Sequence, residues 1–226
     1  MPDNVHGLYW GLGHGRGCGA VTRIKRYNGC ITREQWLLRE TRLVARMRLD
    51  EGLSDREILE RVVSQNLFQY PTERELRSIT RACCRRLTGL SDDAALRAQL
   101  SALIAHGTPD QARQVNLYAL MRSYRLIWEF MCVVVAAKRR TLDDGLTSRE
   151  VAAFLEGLRA QDETVAGWSD ATLNKIRQVF LNCLVECGMY DRANATLKPI
   201  LLDFELEQAI RANQDAEALA AFGCME

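Results

Sequence analysis

Four arginines between residues 72 and 87 have the spacing of one helical face. They follow one another by three or four residues, so in an α-helix their guanidinium groups stack along one side. This arginine face consists of Arg74, Arg77, Arg81 and Arg85. A guanidinium group presents planar, fixed donors that match phosphate oxygens or the edge of a guanine base. The pattern therefore predicts contact with a phosphate-bearing polymer.

The helix that carries these arginines is well delimited in the sequence. Thr72 and Glu75 form a capping box at its start, and Pro71 stands where a helix begins but cannot extend backwards. The side opposite the arginines is apolar and consists of Leu76, Ile79, Cys83 and Leu87. The alternative interpretation is a surface helix whose arginines meet only water and scattered acidic groups. The flanking sequence is needed to choose between these two interpretations.

Two further helical patterns precede the arginine helix. Capping boxes at Thr32–Gln35 and Ser54–Glu57 mark their starts, and Gly52 separates them. Three helices in about sixty residues, with a short second and a basic third, is the order of a helix-turn-helix domain. The connector, residues 65–71, is longer than the usual tight turn of that motif.

Candidate DNA-contacting residues follow from this arrangement, because the N-terminal half of the third helix faces the bases in such domains. The residues expected nearest the bases are Arg74, Arg77 and Ser78. Those expected nearest the phosphates are Arg81, Arg85 and Arg86. The polar edge of the first helix adds Arg42 and Arg46. A short basic arm contributes Lys25 and Arg26; it either follows the phosphate backbone or is a solvated tail.

Composition and charge bound the class of protein. The chain has 226 residues, 47% apolar and 26% charged, as in a soluble globular protein with a real core. Residues 1–90 carry 16 Lys and Arg against 10 Asp and Glu, whereas residues 91–226 carry 14 against 19. The overall charge of +1 thus combines a basic N-terminal part with an acidic remainder. That division indicates a localised anionic partner.

Helical patterns continue to the end of the chain, so the predicted fold class is all-α, with one short extended segment near residues 195–202. Further capping boxes at Thr108–Gln111 and Thr147–Glu150 mark helix starts, and residues 117–137 predict two helices or one bent helix. The predicted division is a glycine-rich tail with the basic arm (1–26, expected to be disordered), a helix-turn-helix-like domain (27–90), a central helical connector (91–141) and a winged-helix-like helical domain (142–226).

The sequence predicts no catalytic residues, no cofactor and no metal site. It contains no phosphate-binding loop, nucleophile elbow or zinc-protease motif. Cys183 and Cys187, one helical turn apart on an apolar face, are predicted to pack in the core. The most apolar run, residues 126–137, is shorter than the roughly 20 residues that a membrane crossing needs. We therefore expect a non-enzymatic, cytoplasmic protein with reduced thiols, no membrane contact and no small-molecule substrate.

Three ordered stretches resemble one known family. They are WLLRETRLVARMRLDEGLSDREILERVVSQNLFQYPTERELRSITRACCRRL (Trp36–Leu87), YRLIWEFMCVVV (Tyr124–Val135) and SDATLNKIRQVFLNCLVECGMY (Ser169–Tyr190). Together they are similar to the BrxA proteins of bacteriophage-exclusion (BREX) phage-defence systems. The resemblance implies a mostly helical, cytoplasmic, non-catalytic component of a multi-gene defence system that binds double-stranded DNA. Some descriptions of the family suggest an inner-membrane protein, against which the lack of a spanning segment argues.

Two functions stay open from the sequence. The first is a DNA-binding module that uses the arginine face. The second is a protein–protein adaptor within the defence complex, without direct DNA contact, that uses the acidic C-terminal part or the arginine face. Other BREX components are expected partners in both cases. An RNA-binding role is disfavoured, because the sequence offers no exposed aromatic platform for unpaired bases.

Overall fold

Helices account for nearly all regular structure in the computed structural model, which describes residues 26–224. In chain order they are α1 (Leu38–Asp50), α2 (Asp55–Gln65), α3 (Glu73–Thr88), α4 (Ala94–His106), α5 (Pro109–Ser123), α6 (Arg125–Glu129), α7 (Ala136–Arg140), α8 (Ser148–Arg159), α9 (Glu163–Ala166), α10 (Asp170–Glu186), α11 (Phe204–Ala212) and α12 (Glu217–Ala221). A 3₁₀-helix, Gly29–Thr32, precedes α1. Strands β1 (Tyr190–Asp191) and β2 (Thr196–Leu197) form an antiparallel hairpin. The predicted all-α class is confirmed, and β2 lies in the segment predicted to be extended.

Side-chain caps decide where several helices begin. Three predicted capping boxes form completely, and they start at Ser54, Thr108 and Thr147. Thr72 also caps α3, since its hydroxyl accepts a hydrogen bond from the backbone amide of Glu75. The box predicted at Thr32 is wrong. The Thr32 hydroxyl donates instead to the Gly29 carbonyl at 2.8 Å, and α1 begins only at Leu38.

The arginine helix, α3, is held from behind by α1, α2 and α5. Its four predicted apolar residues, Leu76, Ile79, Cys83 and Leu87, are all buried. Burial of such side chains is worth about 1.5–3 kcal/mol each. The hydrophobic effect therefore fixes the rotation of α3 about its own axis and turns the arginine face outward.

The centre of the protein contains two helices that meet at Tyr124. The extended backbone of Tyr124 (φ −135°, ψ 113°) ends α5. Of the two alternatives predicted for residues 117–137, two helices or one bent helix, the structure has two helices. The second helix continues from α6 to α7 through a π-helical stretch, Phe130–Val135, whose inner side is buried. Phe130 stacks on Phe180 of α10, with ring centroids 4.5 Å apart, and thereby joins the central helix to the C-terminal part. Between residues 26 and 224 no helix combines the length and apolarity that a membrane crossing requires.

The C-terminal part packs α8 and α10 against each other and against the central helix. Cys183 and Cys187 are both buried, as predicted, and burial raises the pKa of each thiol to about 12. Both thiols are therefore protonated at neutral pH and act as small apolar side chains. The last helices, α11 and α12, return to pack against α4, α5 and the central helix.

Candidate nucleic-acid interface

The outer side of α3 presents two arginines, Arg74 and Arg81, that have no partner in the described part of the chain. Arg74 and Arg81 are exposed, and neither makes an ion pair or a hydrogen bond with another side chain in residues 26–224. They are separated by seven positions, or about two helical turns. Because no side chain of residues 26–224 competes for these guanidinium groups, their donors face outward toward an external anion.

The other two members of the arginine face are ion-paired. Arg77 is half-buried and pairs with Glu73 at 2.5 Å, one turn earlier on the same helix. Arg85 pairs with the carboxylate of Glu34 and lies 3.4 Å from the hydroxyl of Tyr124. The pair with Glu73 is at the surface, where ion pairs are worth about 0–1 kcal/mol, so a phosphate can replace Glu73 at little cost.

A groove of about 540 Å³ runs beside the C-terminal half of α3. Its charged lining residues are Arg81 and Arg85 on α3, Asp55 at the start of α2, and Asp92 after α3. The carboxylate of Asp55 is already bound by Arg48 at 2.5 Å, which reduces its repulsion of an incoming anion. Ser78, which was expected near the bases, is half-buried on the flank of the helix.

Arg86 does not lie at this surface, so its predicted contact with phosphate is wrong. The residue is completely buried, and its guanidinium group donates to the backbone carbonyls of Glu34, Gln35 and Trp36. It also packs over the ring of Tyr124, at 5.3 Å from the ring centre. Arg86 follows Arg85 directly, yet one residue turns a helix by about 100° and points the two side chains in different directions.

The two predicted arginines of α1 support the end of a neighbouring helix. The side chain of Arg42 donates to the carbonyls of Ala105 and Gly107, each at 3.1 Å, and Arg46 donates to Ala105 at 3.0 Å. These are terminal carbonyls of α4 that have no partner within that helix, and cations are favourable at that end. Arg42 is thereby occupied in a helix cap, whereas Arg46 keeps its remaining donors exposed.

Only Arg26 of the predicted basic arm lies within the described residues. Lys25 falls outside the described residues, and Arg26 is exposed. The next residue, Tyr27, donates to Glu129 at 2.5 Å, and Arg125 lies 4.1 Å from the centre of its ring. The following 3₁₀-helix packs against α10. Arg26 is therefore exposed directly before a residue that is held against α6.

The fold is shared with a solved structure. A crystal structure of an uncharacterized protein from Magnetospirillum magneticum superposes with a TM-score of 0.72 at 23% identity, covering 87% of this chain and 98% of that one. At that identity the likeness establishes a common helical architecture and nothing about function.

Sequence comparison identifies the family within that architecture. The BrxA family model matches residues 25–214 of this chain. A curated relative from Bacillus cereus (strain H3081.97), described as "BREX protein BrxA", is 32% identical over 169 residues, which make up 74% of this chain and 82% of the relative. The chain belongs to the BrxA family, and the resemblance seen in the sequence is confirmed.

Proposed function

We propose that this protein is a non-enzymatic component of a BREX phage-defence system and that it binds double-stranded DNA through the arginine face of α3. The observation that supports this most strongly is the exposure of Arg74 and Arg81, which have no partner among the described residues. Arg77 and Arg85 lie on the same side of the helix and double the number of guanidinium groups.

The dimensions of the helix suit the major groove. From Arg74 to Arg85 the arginine face extends over about 16 Å of helix axis, whereas the groove is about 12 Å wide. A helix seated in the groove therefore brings its arginines to the phosphates on either side. This placement assigns Arg74 and Arg77, which the sequence pattern put nearest the bases, to phosphates. In this proposal residues 27–90 form a helix-turn-helix-like unit in which α1 and α2 position α3.

Binding to a random-sequence duplex is expected to weaken steeply with salt. Each neutralised phosphate contributes about −0.9 to the slope of log affinity against log salt concentration, so four contacts predict roughly a 150-fold loss between 50 and 200 mM salt. The Arg74→Ala/Arg81→Ala variant should show a slope smaller in magnitude by about 2 and weaker binding to all sequences. Fluorescence anisotropy with a labelled duplex of about 20 base pairs measures both quantities.

The matched control is Arg113→Ala/Arg211→Ala, which removes two exposed arginines from α5 and α11 and so the same amount of charge. Its slope should equal that of the wild type. If the Arg74→Ala/Arg81→Ala variant keeps the wild-type slope, the DNA site lies elsewhere. If the affinity of the wild type is insensitive to salt, the proposal of phosphate binding is refuted.

A second candidate function, the protein–protein adaptor, is favoured by two exposed apolar side chains. Leu201 is 92% exposed and Phe204 is 70% exposed at the start of α11. Their backbone is held rigidly, because the amide of Gln114 donates to the Leu201 carbonyl at 2.9 Å and accepts from the Asp203 amide at 2.8 Å. Aromatic side chains such as that of Phe204 are enriched in protein interfaces. With Asp203 and Glu205 beside them, the side chains of Leu201 and Phe204 fit a partner with an apolar pocket and a basic rim.

Co-purification with the other BREX components tests this second function. If it is correct, the partners stay bound after nuclease treatment and are lost from the Leu201→Ser/Phe204→Ser variant. Leu142→Ser is the control, since Leu142 is also exposed (84%) but lies in the turn before α8. Loss of every partner upon nuclease treatment would contradict a direct protein contact.

A further inference from the structure

The hairpin β1–β2 gains a third short strand from the segment before α8. Gly145 forms an antiparallel bridge with Thr196. The Leu146 amide donates to the Ala195 carbonyl at 2.8 Å, and the Leu197 amide donates to the Asp144 carbonyl at 2.7 Å. The chain order is therefore strand, α8, the short α9, α10 and hairpin. This is the order of a winged helix, in which the helix before the hairpin is the one presented to DNA.

The outer face of α10 carries a row of side-chain amides, which we call the amide row. Its members are Asn174, Gln178 and Asn182, each four residues from the next and hence on one side of the helix. Asn174 and Gln178 are exposed, and Asn182 is half-buried. An exposed polar row is by itself compatible with plain solvation, so its surroundings decide what it can bind.

Charge distinguishes this helix from the acidic part of the chain around it. The acidic residues of α10 are Asp170 and Glu186, which lie at its two ends and four residues beyond the amide row on either side. The charged groups between them are Lys175 and Arg177. The larger region, residues 91–226, holds 19 Asp and Glu against 14 Lys and Arg. Asp170 is paired with Arg159 at 2.8 Å, and between its two ends the helix carries only positive charge. Phosphates therefore meet little repulsion along the middle of α10.

The hairpin turn places further cations next to the amide row. Arg192 in the turn donates to the side-chain carbonyl of Asn182, which holds the turn against the exposed face of α10. The turn is ordered by Asp191, whose carboxylate accepts from the Ala193 amide at 3.0 Å and pairs with Lys198 at 3.1 Å. Arg192 and Lys198 are both exposed. The row thus has phosphate-binding groups at one end.

We propose that α10 is a second DNA-contacting helix and that the amides of Asn174 and Gln178 recognise adenine in the major groove, with Arg192 and Lys198 on neighbouring phosphates. A carboxamide offers one donor and one acceptor, which match the N7 acceptor and the N6 amino donor of adenine. This inference rests on the proposed binding of duplex DNA but concerns a different surface from α3.

Selection from a pool of random 20-base-pair duplexes, performed with the full chain, tests whether bases are read. The wild type should enrich duplexes with adenine at fixed positions, and the bound sequences should exceed unselected ones in affinity by about 5- to 150-fold for each bidentate contact. The Asn174→Ala/Gln178→Ala variant should lose this enrichment yet keep the salt dependence of binding. Gln161→Ala/Gln208→Ala removes two exposed amides elsewhere and should behave as the wild type.

Replacing the selected adenines with 7-deazaadenine tests the contact at the level of one atom. This base keeps its pairing but lacks the N7 acceptor, so wild-type affinity should fall about two- to tenfold for each lost hydrogen bond. Affinity of the Asn174→Ala/Gln178→Ala variant should not change. An equal loss in both proteins, or no loss in either, overturns the assignment of these amides.

The outcomes separate this inference from the proposed function. Salt-sensitive binding that depends on Arg74 and Arg81 but selects no adenine would leave the function of α3 standing and refute the role of α10. The absence of any duplex binding by the wild type would refute both.

Discussion

The Arg86→Met variant is expected to lose about 3–5 kcal/mol of unfolding free energy, because it removes a buried cation that donates to three backbone carbonyls. Those carbonyls, of Glu34, Gln35 and Trp36, lie in the segment between the 3₁₀-helix and α1. Methionine fills similar space but donates no hydrogen bond. The Trp36 carbonyl still accepts from the side-chain amide of Asn116 at 2.8 Å, whereas the Glu34 and Gln35 carbonyls lose the donor from Arg86. Each of these two then keeps the cost of its burial, about 1–3 kcal/mol.

Chemical denaturation of Arg86→Met beside Arg81→Met measures this effect. The two substitutions are identical in chemistry and lie on the same helix, but Arg81 is exposed and unpaired among the described residues. For a protein of this size the loss in Arg86→Met corresponds to roughly 6–20 °C in melting temperature. Arg81→Met should stay within about 0.5 kcal/mol of the wild type. Equal stability of the two variants would contradict the structural role of Arg86.

The Asp215→Ala variant is expected to show the second large loss, also about 3–5 kcal/mol. Asp215 is buried in the turn between α11 and α12, and its carboxylate accepts from Arg122 of α5 at 2.5 Å and from Tyr118 at 2.7 Å. The Arg122 side chain is only 6% exposed, so removal of Asp215 leaves it without this counter-charge inside the protein. Such a one-sided loss costs more than the intact pair contributes.

Glu207→Ala is the matched control for Asp215→Ala. Glu207 pairs with Arg211 at 2.8 Å on the surface of α11, where an ion pair contributes about 0–1 kcal/mol. Denaturation curves should therefore place Glu207→Ala near the wild type and Asp215→Ala far below it. Because Asp215 fastens the C-terminal helices to α5, limited proteolysis of Asp215→Ala should also cleave near α11 faster than in the control. If both variants lose a similar amount of unfolding free energy, the burial of the Asp215–Arg122 pair does not make its disruption more costly than that of a surface pair.

These two expectations also separate stability from the proposed function. Arg85 and Arg86 are consecutive, yet one lies on the arginine face and the other supports the core. Loss of DNA binding in an Arg86 variant would therefore report unfolding, whereas loss in an Arg74 or Arg81 variant would report a missing contact. The melting temperature of each variant should therefore be measured together with its DNA binding, so that unfolding can be distinguished from loss of a contact.

The sequence by itself determined the features whose causes are local. A capping box joins residues three positions apart, so those at Ser54, Thr108 and Thr147 could be predicted from residue types and spacing alone. The all-α class, the buried side of α3 and the BrxA family could be predicted as well. Helical periodicity places the apolar side inward whatever the helix packs against.

The tertiary structure decided which arginines are available, because their partners are distant in sequence. Glu34 is 51 residues from Arg85 and 52 from Arg86, and Asp215 is 93 from Arg122. Helical periodicity relates only residues a few positions apart, so it cannot reveal these partners. The spacing within α3 therefore predicted six DNA-contacting side chains but could not show that Arg86 is buried. The failed box at Thr32 has the same origin. Residues 29–36 are held by α10 and by Arg86, and these long-range contacts outweigh the local preference to begin a helix at Thr32.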